Sequence, residues 1–161
     1  MARFAHVLLV DDNEIDNFIN ERIIASSGFC TNVVVKFSAD AALEYLREVS
    51  TDPAQVPDVI FLDLNMPVKD GFGFLADFAN LNENVKSKSK VIVLSSSISP
   101  DDINRASVNP HVYKYLNKPL SEKYLEVIWL SPLFFDRVRH LAQRGFIQLN
   151  ELQHGHPCFS G

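Results

Sequence analysis

Four short apolar runs in this chain each stop at a side chain able to do chemistry. Val7 to Val10 runs into Asp11 and Asp12, Val59 to Leu62 into Asp63, and Val91 to Leu94 into Ser95, while Val112 to Leu116 is shortly followed by Lys118. Short runs rich in β-branched residues read as strands buried on both faces, the kind that build a parallel sheet. Such a sheet gathers its strand ends into one crevice. Three acids, a hydroxyl and a lysine brought together there describe a site for a divalent cation and a phosphoryl group.

The intervening segments read mostly as helices. Asp12 or Asn13 caps the first, in which Ile15, Phe18, Ile19 and Ile23 recur at helical spacing and Gly28 marks the stop. Val33 to Phe37 reads as a second strand, and Ser38 as the cap of a helix burying Ala42, Leu43, Tyr45 and Leu46. Ser50 to Pro57 is expected to be a loop on the face away from the site. Pro67 and Gly71 mark a turn, and Asp70 caps a helix carrying Phe74, Leu75 and Phe78. Residues 82–89 read as a polar loop. Ser99-Pro100-Asp101-Asp102 opens a fourth helix, and Ser121 begins a fifth that runs to about Leu130. Five strand–helix alternations predict an α/β domain over residues 1–130, its parallel sheet covered by helices on both faces.

The character of the chain shifts near Ser131-Pro132. Beyond it the acids thin to Asp136 and Glu151, against Arg137, Arg139 and Arg144. Leu133 to Arg144 reads as one extra amphipathic helix. Roughly 30 residues cannot bury a core of their own, so residues 131–161 are expected to be a C-terminal tail and not a second domain. The apolar stretch Ile128 to Phe135 leaves three options open: packing on the domain, a homodimer contact, or a tail that is not authentic. His154, His156 and Cys158 have a spacing compatible with a metal, but so near a terminus they read as plain tail.

A net charge of −5 argues against nucleic acid as the main partner, because neutralising phosphates needs a basic face. No apolar window is long enough for a membrane span, and Met1-Ala2-Arg3-Phe4 runs into a strand with no room for a secretory signal. Cys30 and Cys158 lie far apart. A reduced, cytoplasmic chain is expected.

Taken in order, the motifs resemble the receiver domain of two-component response regulators, the phospho-acceptor module of bacterial signalling. The resemblance covers roughly residues 4–130. It rests on Leu9-Val10-Asp11-Asp12-Asn13, on Leu62-Asp63-Leu64-Asn65-Met66-Pro67 with Asp70-Gly71, on the serines after Leu94, and on Lys118-Pro119. It implies a flavodoxin-like, doubly wound sheet of order 2-1-3-4-5. It also implies that Asp63 accepts a phosphoryl group from the phosphohistidine of a histidine kinase or a histidine phosphotransfer protein. Mg²⁺ would be held by Asp12 and Asp63 directly, by Asp11 through water and by the backbone carbonyl of Asn65. Lys118, following a strand and preceding a cis peptide to Pro119, would neutralise a phosphoryl oxygen. Ser95 would hydrogen-bond the phosphoryl group, and Tyr115 would turn inward as a switch, reshaping a face built from the fourth helix, fifth strand and fifth helix. Asn65 and Ser96 stand where the family tunes hydrolysis. The output partner, a downstream protein, is not named by the sequence, nor is a stand-alone effector separated from a phosphorelay intermediate.

Plainer readings compete at single positions. Asp11-Asp12 in isolation would be a helix cap, Ser95 a turn residue, Tyr115 simple core and Lys69 a solvated loop charge. The segment Asn104 to Pro110 lacks the family's Ala-Gly turn. The alternative of another class is a Mg²⁺-dependent phosphohydrolase with an aspartyl nucleophile. Such an enzyme commonly needs an acid two residues after that nucleophile; here Asn65 stands in that place and cannot exchange the proton. A degenerate receiver that works without phosphorylation is disfavoured by the intact acids and lysine. Nucleic acid binding would need a helix-turn-helix unit, which the tail does not offer.

Overall fold

The computed structural model describes residues 3–131. The expected helix of Leu133 to Arg144, the remaining tail and the His154, His156, Cys158 cluster lie outside the described residues. By internal contacts the chain divides into units of Met1–Leu125 and Glu126–Gly161; the first contains the sheet.

Five strands form one parallel sheet in the order β2-β1-β3-β4-β5: β1 (Phe4–Val10), β2 (Cys30–Lys36), β3 (Val59–Leu62), β4 (Lys90–Ser95) and β5 (Val112–Asn117). Among the described residues six helices connect and follow these strands, two of them between β3 and β4: α1 (Glu14–Ser26), α2 (Ala39–Val49), α3 (Gly71–Phe78), α4 (Glu83–Lys88), α5 (Pro100–Ser107) and α6 (Glu122–Trp129). None is long and apolar enough among the described residues to cross a membrane. Alternation along the buried strands sends Leu8, Val10, Ile60 and Leu62 to one face. There they pack with Leu43 and Leu46 of α2 and with Phe74, Leu75 and Phe78 of α3. On β3 the intervening Phe61 meets Phe29, the two ring centroids 6.3 Å apart.

The helix starts follow from short polar side chains that accept otherwise unpartnered N–H groups. Asn13 Oδ1 accepts from Ile15 and Asp16, Ser38 Oγ from Ala41, and Asp70 Oδ1 from Gly73. Gly28, at φ +65°, ends α1 in the left-handed conformation that a residue without Cβ adopts at little cost.

Three sequence expectations are corrected, for residues 82–89, the start of the second strand and Tyr45. Residues 82–89 are not a loop: Asn82 caps α4, fully buried Val85 docks it, and Lys88 Nζ reaches the Pro53 carbonyl (2.7 Å) and buried Asp58 (3.6 Å). One buried residue in six carries no readable period. The second strand begins at Cys30, because pairing with Phe4 of β1 recruits residues whose own pattern is polar; Phe37 lies beyond it, half exposed. The Ile15, Phe18, Ile19 stripe of α1 faces solvent, and Asn17, Asn20 and Ile24 are buried in its stead. Tyr45 is only partly buried, its ring beneath the Lys36 ammonium at 5.1 Å.

Two backbone positions beside β3 constrain which side chains fit there. A Cβ on Gly71 would lie 2.6 Å from the Asp63 carbonyl oxygen and 2.8 Å from Leu64 Cα. Both are backbone atoms with nowhere to go, so Gly71→Ala is expected to destabilise by about 2 kcal/mol, read as a lowered midpoint in urea. Val68 is fully exposed at φ +68°, a strained conformation for a β-branched side chain. Val68→Asn should therefore stabilise by about 1 kcal/mol, measured in the same experiment.

Candidate functional site

The sheet carries its ladder one residue past each strand end and so fixes the site's backbone. The Asp11 N–H donates to Lys36 O (3.2 Å), that of Asp63 to Val10 O (2.9 Å) and that of Lys118 to Ser95 O (3.0 Å). Asp11 and Asp63 are buried, at 4% and 5% exposure, whereas Asp12 is exposed. One carboxylate oxygen from each of the three lies within 4.8 Å of the others. Like charges this close repel, and a hard cation with a preference for oxygen relieves them. Three carboxylates, all oxygen donors and none of them soft, make a donor set that fits a hard cation. Burial pushes the Asp63 carboxyl up to about 6; the Lys118 charge opposes this, Asp11 adds to it, and the backbone N–H groups of Asn65 and Leu64 oppose it more weakly.

Lys118 is the cation the fold supplies. Its Nζ lies 2.6 Å from Asp11 Oδ2, 2.8 Å from Asp16 Oδ2 and 3.7 Å from Asp63 Oδ1. At the last distance it attracts Asp63 without hydrogen-bonding it, which is why burial still dominates that carboxyl. Burial also works against the ammonium, but hydrogen bonds from Lys118 to Asp11 and Asp16, with the charges of Asp63 and Asp11, hold its pKa above the ordinary lysine value. The Lys118–Pro119 peptide is cis. Asp16 is a site residue the sequence reading missed. In sequence it is one acid in the first turn of a helix, where acids are common for reasons of helix dipole alone.

Ser95 is fully buried at the end of β4 and paired with Asn117 of β5. A chain of hydrogen bonds runs outward from it. Ser95 Oγ accepts from the Ser97 N–H (3.2 Å), Ser97 Oγ donates to Asp102 Oδ2 on α5 (2.7 Å), and the Tyr115 hydroxyl donates to the Ser97 carbonyl (2.7 Å). Ser97, also missed, therefore joins the end of β4 to α5 and to Tyr115. Ser96 and Asn65 are exposed at the site's edge.

Lys69 is not simply solvated. Its ammonium pairs with Asp40 of α2 (2.6 Å) and Asp77 of α3 (2.5 Å), and those hydrogen bonds raise its pKa. It ties down the loop after Asp63 and belongs to the scaffold.

The sequence profile of the response regulator receiver domain family matches residues 7–128. The chain is 36% identical over 115 residues to the probable methanogenesis regulatory protein FilR2 of Methanothrix harundinacea, covering 71% of this chain and 72% of that one. It is 32% identical over 133 residues to the response regulator Rcp1 of Synechocystis, covering 78% and 88% respectively. The crystal structure of a two-component response regulator from Cytophaga hutchinsonii superposes with a TM-score of 0.73 at 32% identity, over 78% of this chain and 94% of that one. The Mn²⁺-bound form of Rcp1 superposes with a TM-score of 0.64 at 29% identity, over 80% and 96%. With its strand order, acidic cluster and lysine in register, the chain belongs to the response regulator receiver domain family.

Proposed function

We propose that this chain is a phospho-acceptor switch in which Asp63 receives a phosphoryl group from the phosphohistidine of a histidine kinase or histidine phosphotransfer protein. The observation that carries this reading is the Lys118 ammonium set between Asp11 (2.6 Å) and Asp63 (3.7 Å) above three converging carboxylates. A structural ion pair needs one acid; this lysine is shared among more acids than it can neutralise. The excess negative charge favours a hard cation, which Asp12 and Asp63 would hold directly, Asp11 through water and Asn65 through its carbonyl. The cation is Mg²⁺ in this reading, consistent with the Mn²⁺ bound by Rcp1; when bound it neutralises the carboxylates and the incoming phosphoryl oxygens.

The group transfer balances simply. A carboxylate oxygen of Asp63 forms the new O–P bond, the P–N bond of the phosphohistidine breaks, and the imidazole leaves with that electron pair and regains a proton. Lys118 swings its point charge from Asp11 toward a phosphoryl oxygen. Ser95 Oγ gives up its bond from the Ser97 N–H and turns to the phosphoryl group. That shift is felt at once by Ser97, hence by Asp102 on α5 and by Tyr115, so a local charge biases the packing of the α5–β5 face. A downstream protein reading that face completes the signal. The phosphohydrolase alternative gains nothing, since exposed Asn65 offers no acid beside Asp63.

Incubation with Mg²⁺ and acetyl phosphate is expected to give a phospho-adduct by mass spectrometry, absent in Asp63→Asn. An equal adduct in that variant would defeat the reading. Lys118→Met should slow adduct formation by about 100-fold, the scale on which removing a preorganised charge stabiliser acts. The Asp63 carboxyl adds a pH dependence of sign opposite to the usual acid. Folded Asp63 keeps its proton to about 6 while the unfolded chain releases it near the ordinary value of 3.8, so stability falls as pH rises through that window. In Mg²⁺-free buffer at pH 7.5, Asp63→Asn should be more stable than the wild type by on the order of 2 kcal/mol, an advantage that fades toward pH 4. Thermal melts across that range measure it.

A further inference from the structure

Helix α1 turns polar residues toward the sheet: Asn17 and Asn20 are 3% and 5% exposed. The carboxamide of Asn17 has a defined sense, because its Nδ2 donates to the Asp11 carbonyl at 2.7 Å, leaving Oδ1 as the acceptor. That Oδ1 is buried and accepts no hydrogen bond. Among the described residues one other buried side-chain atom shares this condition, Asp63 Oδ1. Asn17 and Asp63 line the same cavity of about 10 Å³, together with Asp11, Asn20, Phe61 and Leu94.

Two acceptors cannot satisfy one another. Each needs a donor, one water carries two protons, and a polar cavity of this size has room for the centre of one water molecule. Lys118 does not serve, since at 3.7 Å its Nζ lies beyond hydrogen-bonding distance of Asp63 Oδ1. We propose that one buried water donates a proton each to Asn17 Oδ1 and Asp63 Oδ1, and that Asn17 is thereby a positioning residue for the phospho-acceptor. Held at one oxygen, the Asp63 carboxylate cannot rotate about its last torsion and keeps its geometry for attack on phosphorus. Asn17 is itself fixed by its bond to the Asp11 carbonyl, so the orientation of Asp63 is referred back to the β1 end. The positioning role rests on the reading of Asp63 as acceptor; the water does not.

The test has two independent arms. In the first, a high-resolution crystal structure and water–protein NOEs of the wild type look for the water between Asn17 and Asp63. In the second, Asn17→Leu fills the cavity and removes the acceptor, while Asn17→Ser keeps a hydroxyl and leaves space for another water. The expected result is a water in the wild type, adduct formation from acetyl phosphate slowed about tenfold in Asn17→Leu, the scale of one hydrogen bond, and substantial recovery in Asn17→Ser. Calorimetric Mg²⁺ affinity should stay within about twofold throughout, since Asn17 contributes no ligand. A wild-type cavity without water overturns the proposal, and so does an Asn17→Leu variant phosphorylated at the wild-type rate. Equal loss in both variants would make Asn17 purely structural. If Asn17→Leu does not fold, the Ser variant and the wild-type water still decide. A wild type that holds the water but takes no phosphoryl group would defeat the acceptor reading and leave the hydrogen-bonding assignment standing.

Discussion

The structure is organised around an electrostatic excess. Four carboxylates, from Asp11, Asp12, Asp16 and Asp63, face a single ammonium, that of Lys118. A fold selected only for stability would avoid burying Asp63 so incompletely paired, with Oδ1 accepting no hydrogen bond and Lys118 no nearer than 3.7 Å, because buried charge left short of partners is costly. The cost appears directly in the Asp63 carboxyl, which burial pushes to about 6 despite the nearby lysine. What holds the arrangement is the sheet. The backbone N–H groups of Asp11, Asp63 and Lys118 are each bonded to a neighbouring strand, so the three side chains cannot drift apart to relax. The apolar core beneath, with Leu8, Val10, Ile60 and Leu62 gripped by α2 and α3, makes that frame rigid.

The same rigidity makes a small change at the site consequential at a distance. Ser95 is buried and anchored at the β4–β5 edge, and Ser97 links it to both α5 and Tyr115. Under the proposed switch, moving that hydroxyl would disturb several of these bonds at once. Lys69 pins the loop after Asp63 to Asp40 of α2 and Asp77 of α3.

The fold was legible where burial imposes a pattern. The four apolar runs became strands close to their expected bounds, and Asn13, Ser38 and Asp70 each cap the helix their chemistry suits. The acids and lysine of the site were legible because each follows such a run. Other features were not. The period of Ile15, Phe18 and Ile19 announced a helix, but that stripe faces solvent and Asn17, Asn20 and Ile24 face the sheet, since periodicity reports a stripe and not what the stripe meets. Asn17 and Asn20 are polar, and nothing local says that they lie beneath a carboxylate. Asp16 and Ser97 act through partners about a hundred and about twenty residues away, distances at which sequence spacing is silent. Helix α4 is held by Val85 and by Lys88 reaching the buried Asp58, which are tertiary facts.

The central claim is that the carboxylate cluster is built for a cation and is relieved by one. The most direct test follows thermal stability of the wild type while Mg²⁺ is titrated from zero to several millimolar at pH 7.5, beside Asp12→Ala and Asp63→Asn. The account predicts a saturable rise in melting temperature in the wild type, as expected when a ligand binds the folded state alone, and a rise much reduced in both variants. A wild-type melting temperature indifferent to Mg²⁺, or one that rises equally in all three proteins, would contradict it.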